Sequence, residues 1–117
     1  MSGNNIILDK TFQFSKKIIF LYLELKNEKE FDLGRQVLRS GTSIGANIEE
    51  AQGAISKKDF ISKVHISLKE AKETHYWLRL FKECKIVSLD KVNELLHDCT
   101  QIIKILTSIL NSAKKTE

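Results

Sequence analysis

The sequence contains no proline and only five glycines in 117 residues. Average proline usage near 5% would give about six prolines in a chain of this length. β-Sandwiches and β-barrels need turn residues every ~8 to 12 positions, so this scarcity argues against both classes. Hydrophobic residues make up 42% of the chain and charged residues 29%, which supplies a core and excludes a disordered polypeptide. We therefore predict one helical domain over residues 1–117.

Cysteines and long apolar runs are also scarce. The two cysteines, Cys84 and Cys99, have neither the spacing of metal ligands nor a Cys-x-x-Cys motif, so we predict that both are reduced. The longest apolar run spans residues 18–23, whereas a transmembrane helix needs ~20 apolar residues. The N-terminus lacks the cleavage pattern of a signal peptide. These absences predict a cytoplasmic protein with no membrane partner.

The net charge of +4 is concentrated in one part of the chain. Residues 56–85 hold eight basic and four acidic residues, and the rest of the chain is neutral in sum. A local excess of this kind is typical of an anionic partner, although a solvated lysine-rich face would have the same composition. The candidate contacts to nucleic acid are Lys58, Lys63, Lys69, Lys72, Arg79 and Lys82.

Apolar periodicity predicts a first helix from about residue 10 to residue 28. One apolar stripe has the spacing of a helix face that packs on a core, and it consists of Phe14, Ile18, Leu21, Tyr22 and Leu25. Further apolar residues lie off this stripe, namely Phe12, Ile19, Phe20 and Leu23. A helix with two apolar faces in so short a chain predicts a homo-oligomer.

The second helix is predicted over residues 31–53 and has an apolar face of small side chains. Because a glycine inside a helix is unfavourable by roughly 0.5–1 kcal/mol, we expect Gly34, Gly41 and Gly45 to allow close approach of another helix. A polar stripe runs beside this face. We expect it to be partly buried against neighbouring helices or a second subunit, and it comprises Ser40, Ser43, Asn47 and Glu50, with Gln36 at its start.

Two further helices are predicted, from Ser56 to about Glu83 and after a connection at residues 84–87. We predict Ser56 as the N-cap of the third helix and Ser88 as that of the fourth. Cys99 lies in the apolar seam of the fourth helix. Four amphipathic helices with short connections predict an all-α, antiparallel up-down-up-down four-helix bundle, with flexible ends at about residues 1–8 and 112–117.

Recognisable catalytic or metal-binding patterns are lacking. His65, His75 and His97 have no Glu-x-x-His partner, and no glycine-rich phosphate loop is present. We predict no enzymatic activity, metal or cofactor, and we interpret His75 as a hydrogen-bonded core residue. Tyr76 and Trp77 fit either helix packing or the stacking of unpaired bases.

The central part of the chain resembles a known family. Residues 40–80 read SGTSIGANIEEAQGAISKKDFISKVHISLKEAKETHYWLRL. The Ser-x-x-Ser-Ile-x-x-Asn-Ile pattern from Ser40, followed by Ser-x-x-Asp-Phe from Ser56, resembles the 23S ribosomal RNA intervening-sequence proteins, as does the segment at residues 68–78. Glu49 departs from that family, in which related sequences often have alanine or a basic residue, and we therefore place no nucleic-acid contact there.

The resemblance implies an antiparallel bundle that assembles as a ring of five. It also implies relatives that act as retroelement accessory proteins and bind nucleic acid and a reverse transcriptase. Two hypotheses follow for this chain. The first is a non-enzymatic homo-oligomer that binds RNA or DNA through backbone phosphates, and the second is a protein–protein interaction scaffold with no direct contact to nucleic acid.

Overall fold

A computed structural model describes residues 2–115 of the backbone and the side chains of residues 6–115. Within this range the chain forms four α-helices and no strand. The helices are α1 (Ser2–Asn27), α2 (Phe31–Gln52), α3 (Lys57–Glu83) and α4 (Leu89–Lys115). The prediction of an all-α four-helix bundle is confirmed.

The helices pack as an elongated antiparallel bundle of 47 × 21 × 20 Å. Each helix contacts the next along the chain, and α4 contacts α1. Within residues 2–115, α1 and α3 do not touch, so they lie diagonally across the bundle. The outer faces of α1 and α3 therefore point in opposite directions.

The predicted helix boundaries are confirmed in the middle of the chain and are wrong at its ends. We predicted that α1 begins near Lys10, but it begins at Ser2. Ile7 is fully buried, and its carbonyl accepts a hydrogen bond of 2.8 Å from the hydroxyl of the buried Thr11. The single apolar turn before Lys10 was too short to show periodicity. Helix α4 continues to Lys115, beyond the predicted end near Asn111, and the flexibility of both ends stays a prediction.

Two lysines occupy turn positions at which glycine is usual. Lys29 and Lys85 follow the ends of α1 and α3 and adopt left-handed backbone conformations, with φ of 66° and 57°. Glycine usually occupies this position after a helix. In each turn the next residue closes the helix end, with Glu30 N donating to Leu25 O at 2.8 Å and Ile86 N donating to Phe81 O at 3.0 Å.

The predicted N-cap of α3 is confirmed. Ser56 Oγ accepts a hydrogen bond from Asp59 N at 3.0 Å, and Asp59 Oδ2 accepts one from Ile55 N at 3.2 Å. These reciprocal bonds satisfy two backbone N–H groups and fix the direction in which α3 leaves the turn.

The small residues of α2 allow close contact with α1, as predicted. A Cβ atom on Gly41 would lie 2.8 Å from both Cγ atoms of Ile18, and one on Gly45 would lie 3.3 Å from the backbone oxygen of Thr11. Glycine at Gly41 therefore avoids a clash with Ile18, and glycine at Gly45 leaves room for the backbone of Thr11.

The two apolar faces of α1 have different environments. Phe14, Ile18, Leu21 and Leu25 belong to the buried core. On the outer side lies a set of exposed apolar side chains, which we call the α1 apolar strip and which consists of Phe12, Ile19, Phe20 and Leu23. The bundle provides no cover for this strip.

Candidate nucleic-acid interface

Five of the six predicted cations are exposed along α3. A helix turns by about 100° per residue, which places Lys58, Lys69, Lys72 and Arg79 within an arc of about 80° on the side away from the core and Lys82 about 60° beyond that arc. From the first to the last, the row is about 36 Å long at ~1.5 Å per residue. We call this surface the basic outer face, and it comprises Lys58, Lys69, Lys72, Arg79 and Lys82.

Lys63 is not part of the basic outer face. Its side chain is partly buried on the flank of α3 that packs against α2, and its Nζ lies 3.0 Å from Glu50 Oε1. This ion pair connects two helices. The charge count placed Lys63 among the candidates because a count of charges does not show which flank of α3 is covered by α2.

None of the cations of the basic outer face forms an ion pair with a residue in the range 6–115. Some cations elsewhere connect helices, with Lys17 Nζ 2.7 Å from Asp98 Oδ2 and Lys91 Nζ 2.7 Å from Glu24 Oε2. Other exposed lysines without an ion pair among the described residues, such as Lys26 and Lys104, are spread over the other helices, whereas α3 carries five cations in one row.

Arg39 of α2 forms ion pairs with two acids of α3 that would otherwise partly neutralise these cations. Its guanidinium pairs with the buried Glu70 at 3.0 Å and also with Glu73. Partial burial alone would raise the pKa of Glu73, but hydrogen bonds from Arg39 and Trp77 outweigh it and hold the pKa below its ordinary value. Glu73 is thus ionised and paired, and the basic outer face keeps its positive excess.

Tyr76 and Trp77 have different roles, which the sequence left open. Trp77 is partly buried and packed against the core, and its Nε1 donates to Glu73 Oε2 at 3.2 Å. Tyr76 is 50% exposed on the basic outer face. Its ring centre is 5.7 Å from that of Trp77 at an interplanar angle of 64°, and Arg79 Cζ lies 5.7 Å from the ring centre.

The predicted polar stripe of α2 is divided by its surroundings. Ser40 is fully buried, and its hydroxyl forms a 2.9 Å hydrogen bond with the hydroxyl of Thr74 on α3. Ser43 Oγ and Asn47 Nδ2 instead donate to carbonyls of their own helix, at 2.6 and 2.8 Å. Glu50 is exposed and pairs with Lys63, as described above, and Gln36 is also exposed. Ser40 and Glu50 therefore make the predicted hydrogen bonds across helices, and of these two only Ser40 is buried.

Two side chains that could take part in chemistry, His75 and Cys99, form hydrogen bonds within the bundle. His75 Nε2 lies 3.3 Å from Thr100 Oγ1 on α4, and burial, aided by Arg79, lowers the pKa of His75. Burial raises the pKa of Cys99 to about 12, and its thiol donates to Ala71 O at 3.3 Å. Neither cysteine forms a disulfide. Within the described residues, no three His, Cys, Asp or Glu side chains lie close enough to hold a metal ion.

Two surface grooves accompany these features. A groove of about 390 Å³ adjoins Tyr76 and is also lined by Arg79, Leu80, Lys82 and Glu83. A larger, open groove of about 800 Å³ lies at one end of the bundle, where Ala51, Phe60 and Ile109 line it. None of the helices in the described range is long and apolar enough to cross a membrane.

A family model and a solved structure both match this chain. The family model described as "23S rRNA-intervening sequence protein" matches residues 3–108. A solved structure of a protein of unknown function from Bacteroides thetaiotaomicron, described as from the S23 ribosomal protein family, is 44% identical. The alignment covers 93% of this chain and 98% of that one, with a TM-score of 0.89. No curated protein matches the chain.

Proposed function

The chain belongs to the 23S rRNA-intervening sequence protein family, and from that membership we propose that it is a non-enzymatic, self-associating four-helix module that binds RNA or DNA through the basic outer face of α3. The observation that carries the proposal is the row of five exposed, unpaired cations on one helix. Both family descriptions refer to ribosomal RNA or to a ribosomal protein, which makes RNA the first ligand to test.

Binding through this face would be electrostatic. A row of lysine and arginine side chains can neutralise phosphates and release their counterions without reading bases. The neighbouring acids Glu70 and Glu73 are already paired with Arg39, so they do not cancel the field along Lys69 and Lys72. Low sequence selectivity follows from contacts of this kind.

Self-association is supported by the α1 apolar strip. A contiguous apolar surface of this kind is typical of a contact site. Because α1 lies diagonally across the bundle from α3, the strip is separate from the basic outer face of its own subunit. Five copies is the number that the family resemblance implies.

The nucleic-acid proposal predicts a steep dependence on salt. We expect structured RNA to bind at about 50 mM salt and to bind ~500-fold more weakly at about 200 mM, as for five phosphate contacts. Fluorescence anisotropy at both concentrations measures this change. Absence of binding at the lower concentration would contradict the proposal.

A matched pair of triple variants locates the contacts. Changing Lys69, Lys72 and Arg79 to glutamine should reduce the salt slope by about three. The control changes three exposed lysines elsewhere to glutamine, Lys26, Lys104 and Lys114, and alters the net charge equally. We expect the control to retain nearly the wild-type slope, and equal losses in both variants would rule out a site on α3.

Self-association is tested by mass. Multi-angle light scattering at micromolar concentration should give several times the monomer mass of 13.4 kDa. Replacing Phe20 and Leu23 with serine should lower the mass, whereas serine at the exposed Phe31 of α2 should not. A wild-type mass near 13.4 kDa would contradict self-association. It would favour the second candidate function, a scaffold whose strip contacts a different protein.

A further inference from the structure

Tyr76 lies in the middle of the basic outer face. Lys72 precedes it by four residues and Arg79 follows it by three, so all three side chains share one side of α3. Half of the tyrosine surface is exposed. An aromatic ring is thus held between two cations that have no ion-pair partner among the described residues.

The bundle does not need Tyr76 for packing. Its neighbour Trp77 contacts the core and hydrogen-bonds Glu73, while the hydroxyl of Tyr76 makes no hydrogen bond within the described part of the chain. The rings of Tyr76 and Trp77 contact each other edge-to-face, with their centres 5.7 Å apart and an interplanar angle of 64°. The Arg79 guanidinium lies 5.7 Å from its centre, which is a loose contact that a flat group could replace or extend.

The groove of about 390 Å³ beside the ring can take such a group. Leu80 gives it an apolar wall, and Arg79 and Lys82 line it with positive charge. Glu83 contributes one carboxylate, which would disfavour a phosphate but could accept a hydrogen bond from an amino group of a base. An aromatic ring with cations on both sides along the helix suits a base and its flanking phosphates.

We infer that Tyr76 is a stacking platform for an unpaired base, whose flanking phosphates contact Lys72 and Arg79, so that the basic outer face prefers single-stranded to double-stranded nucleic acid. This inference rests on the proposed function. In a duplex both faces of every base are already stacked, so a duplex can use the cations but not the ring. The ring has no means of distinguishing RNA from DNA.

The test compares a short RNA without self-complementarity, the DNA of the same sequence and their fully paired duplexes, by fluorescence anisotropy at about 50 mM salt. Wild-type protein should bind both single strands more tightly than either duplex. Tyr76→Leu should weaken single-strand binding by about 5- to 150-fold and leave duplex binding unchanged. Tyr76→Phe, which keeps the ring, should retain wild-type affinity.

Two controls make the outcome specific. Phe31→Leu removes an exposed ring from α2, away from the basic outer face, and should not alter binding. An RNA with abasic sites keeps the phosphates and lacks bases, so wild-type protein should bind it as weakly as Tyr76→Leu binds the intact strand. The measurement with abasic RNA uses wild-type protein, so its result does not depend on whether a variant folds.

The two proposals fail in different ways. Equal affinity for single strands and duplexes, or a Tyr76→Leu variant that binds single strands like the wild type, would overturn the stacking inference and leave the proposed function standing. Absence of binding to any of the nucleic acids would overturn the proposed function itself.

Discussion

Phe14→Ala should lower the free energy of unfolding by about 3–5 kcal/mol. Phe14 is 2% exposed and is among the largest fully buried or nearly buried side chains of the core. The variant lacks the free energy that is gained when the ring is transferred from water into the core. It also leaves a cavity, which other core residues such as Ile18 and Ile102 can fill only in part. A domain of this size has a total stability of only ~5–15 kcal/mol, so the loss is a large share of it.

Phe12→Ala is the matched control for this change. Phe12 is two residues away on the same helix but is 60% exposed, so its removal should alter the free energy of unfolding by less than ~0.5 kcal/mol when the state of association is unchanged. Urea unfolding monitored by circular dichroism measures both variants. Similar losses at the two positions would contradict the assignment of one face of α1 to the core and the other to the α1 apolar strip.

Gly41→Leu should destabilise the protein by about 3 kcal/mol, the upper end of the usual range for an overpacked core. Even the first added carbon would lie 2.8 Å from both Cγ atoms of Ile18. These atoms are branches on the stem of a fully buried side chain and cannot swing aside as the end of a flexible chain can. Helices α1 and α2 would have to move apart, which would loosen the contacts on either side.

Gly53→Leu adds the same side chain at a position with space for it. Gly53 follows α2 with φ of −99°, which other residues adopt, and the nearest atom to an added Cβ is 3.8 Å away. We expect a change within ~0.5 kcal/mol. Should Gly41→Leu fail to fold, Gly41→Ala provides the comparison: its gain in helix propensity of about 1 kcal/mol opposes the clash, so a net loss would identify the close contact. Equal stability of the Gly41 and Gly53 variants would contradict the contact with Ile18.

Much of the architecture was predictable because it follows from local pattern. The apolar spacing of Phe14, Ile18, Leu21 and Leu25 identified the core face of α1, and the apolar residues that lie off this spacing, Phe12, Ile19, Phe20 and Leu23, are exposed as its second face. The cap at Ser56 is confirmed because capping depends on residues only three apart. The start of α1 was missed because one turn of helix carries too little periodicity to be read.

The basic outer face was only partly predictable. A charge count placed Lys63 with the other five cations, but Lys63 pairs with Glu50 of the neighbouring helix. The ion pairs of Arg39 with Glu70 and Glu73 join residues more than 30 positions apart, so no local sequence pattern predicts them. The exposure of Tyr76 and the burial of its neighbour Trp77 likewise depend on where α2 and α4 lie against α3.

The sequence by itself determined that this protein is helical, with long helices because proline is absent and with its excess positive charge on the third helix. Periodicity and capping act within a few residues, so the order of residues is enough to specify them. Only the tertiary structure decided which cations are unpaired, which aromatic ring is exposed, and that α1 and α3 present their outer faces in opposite directions. Burial and ion pairing depend on neighbours that are remote along the chain, and packing of the helices alone brings them together.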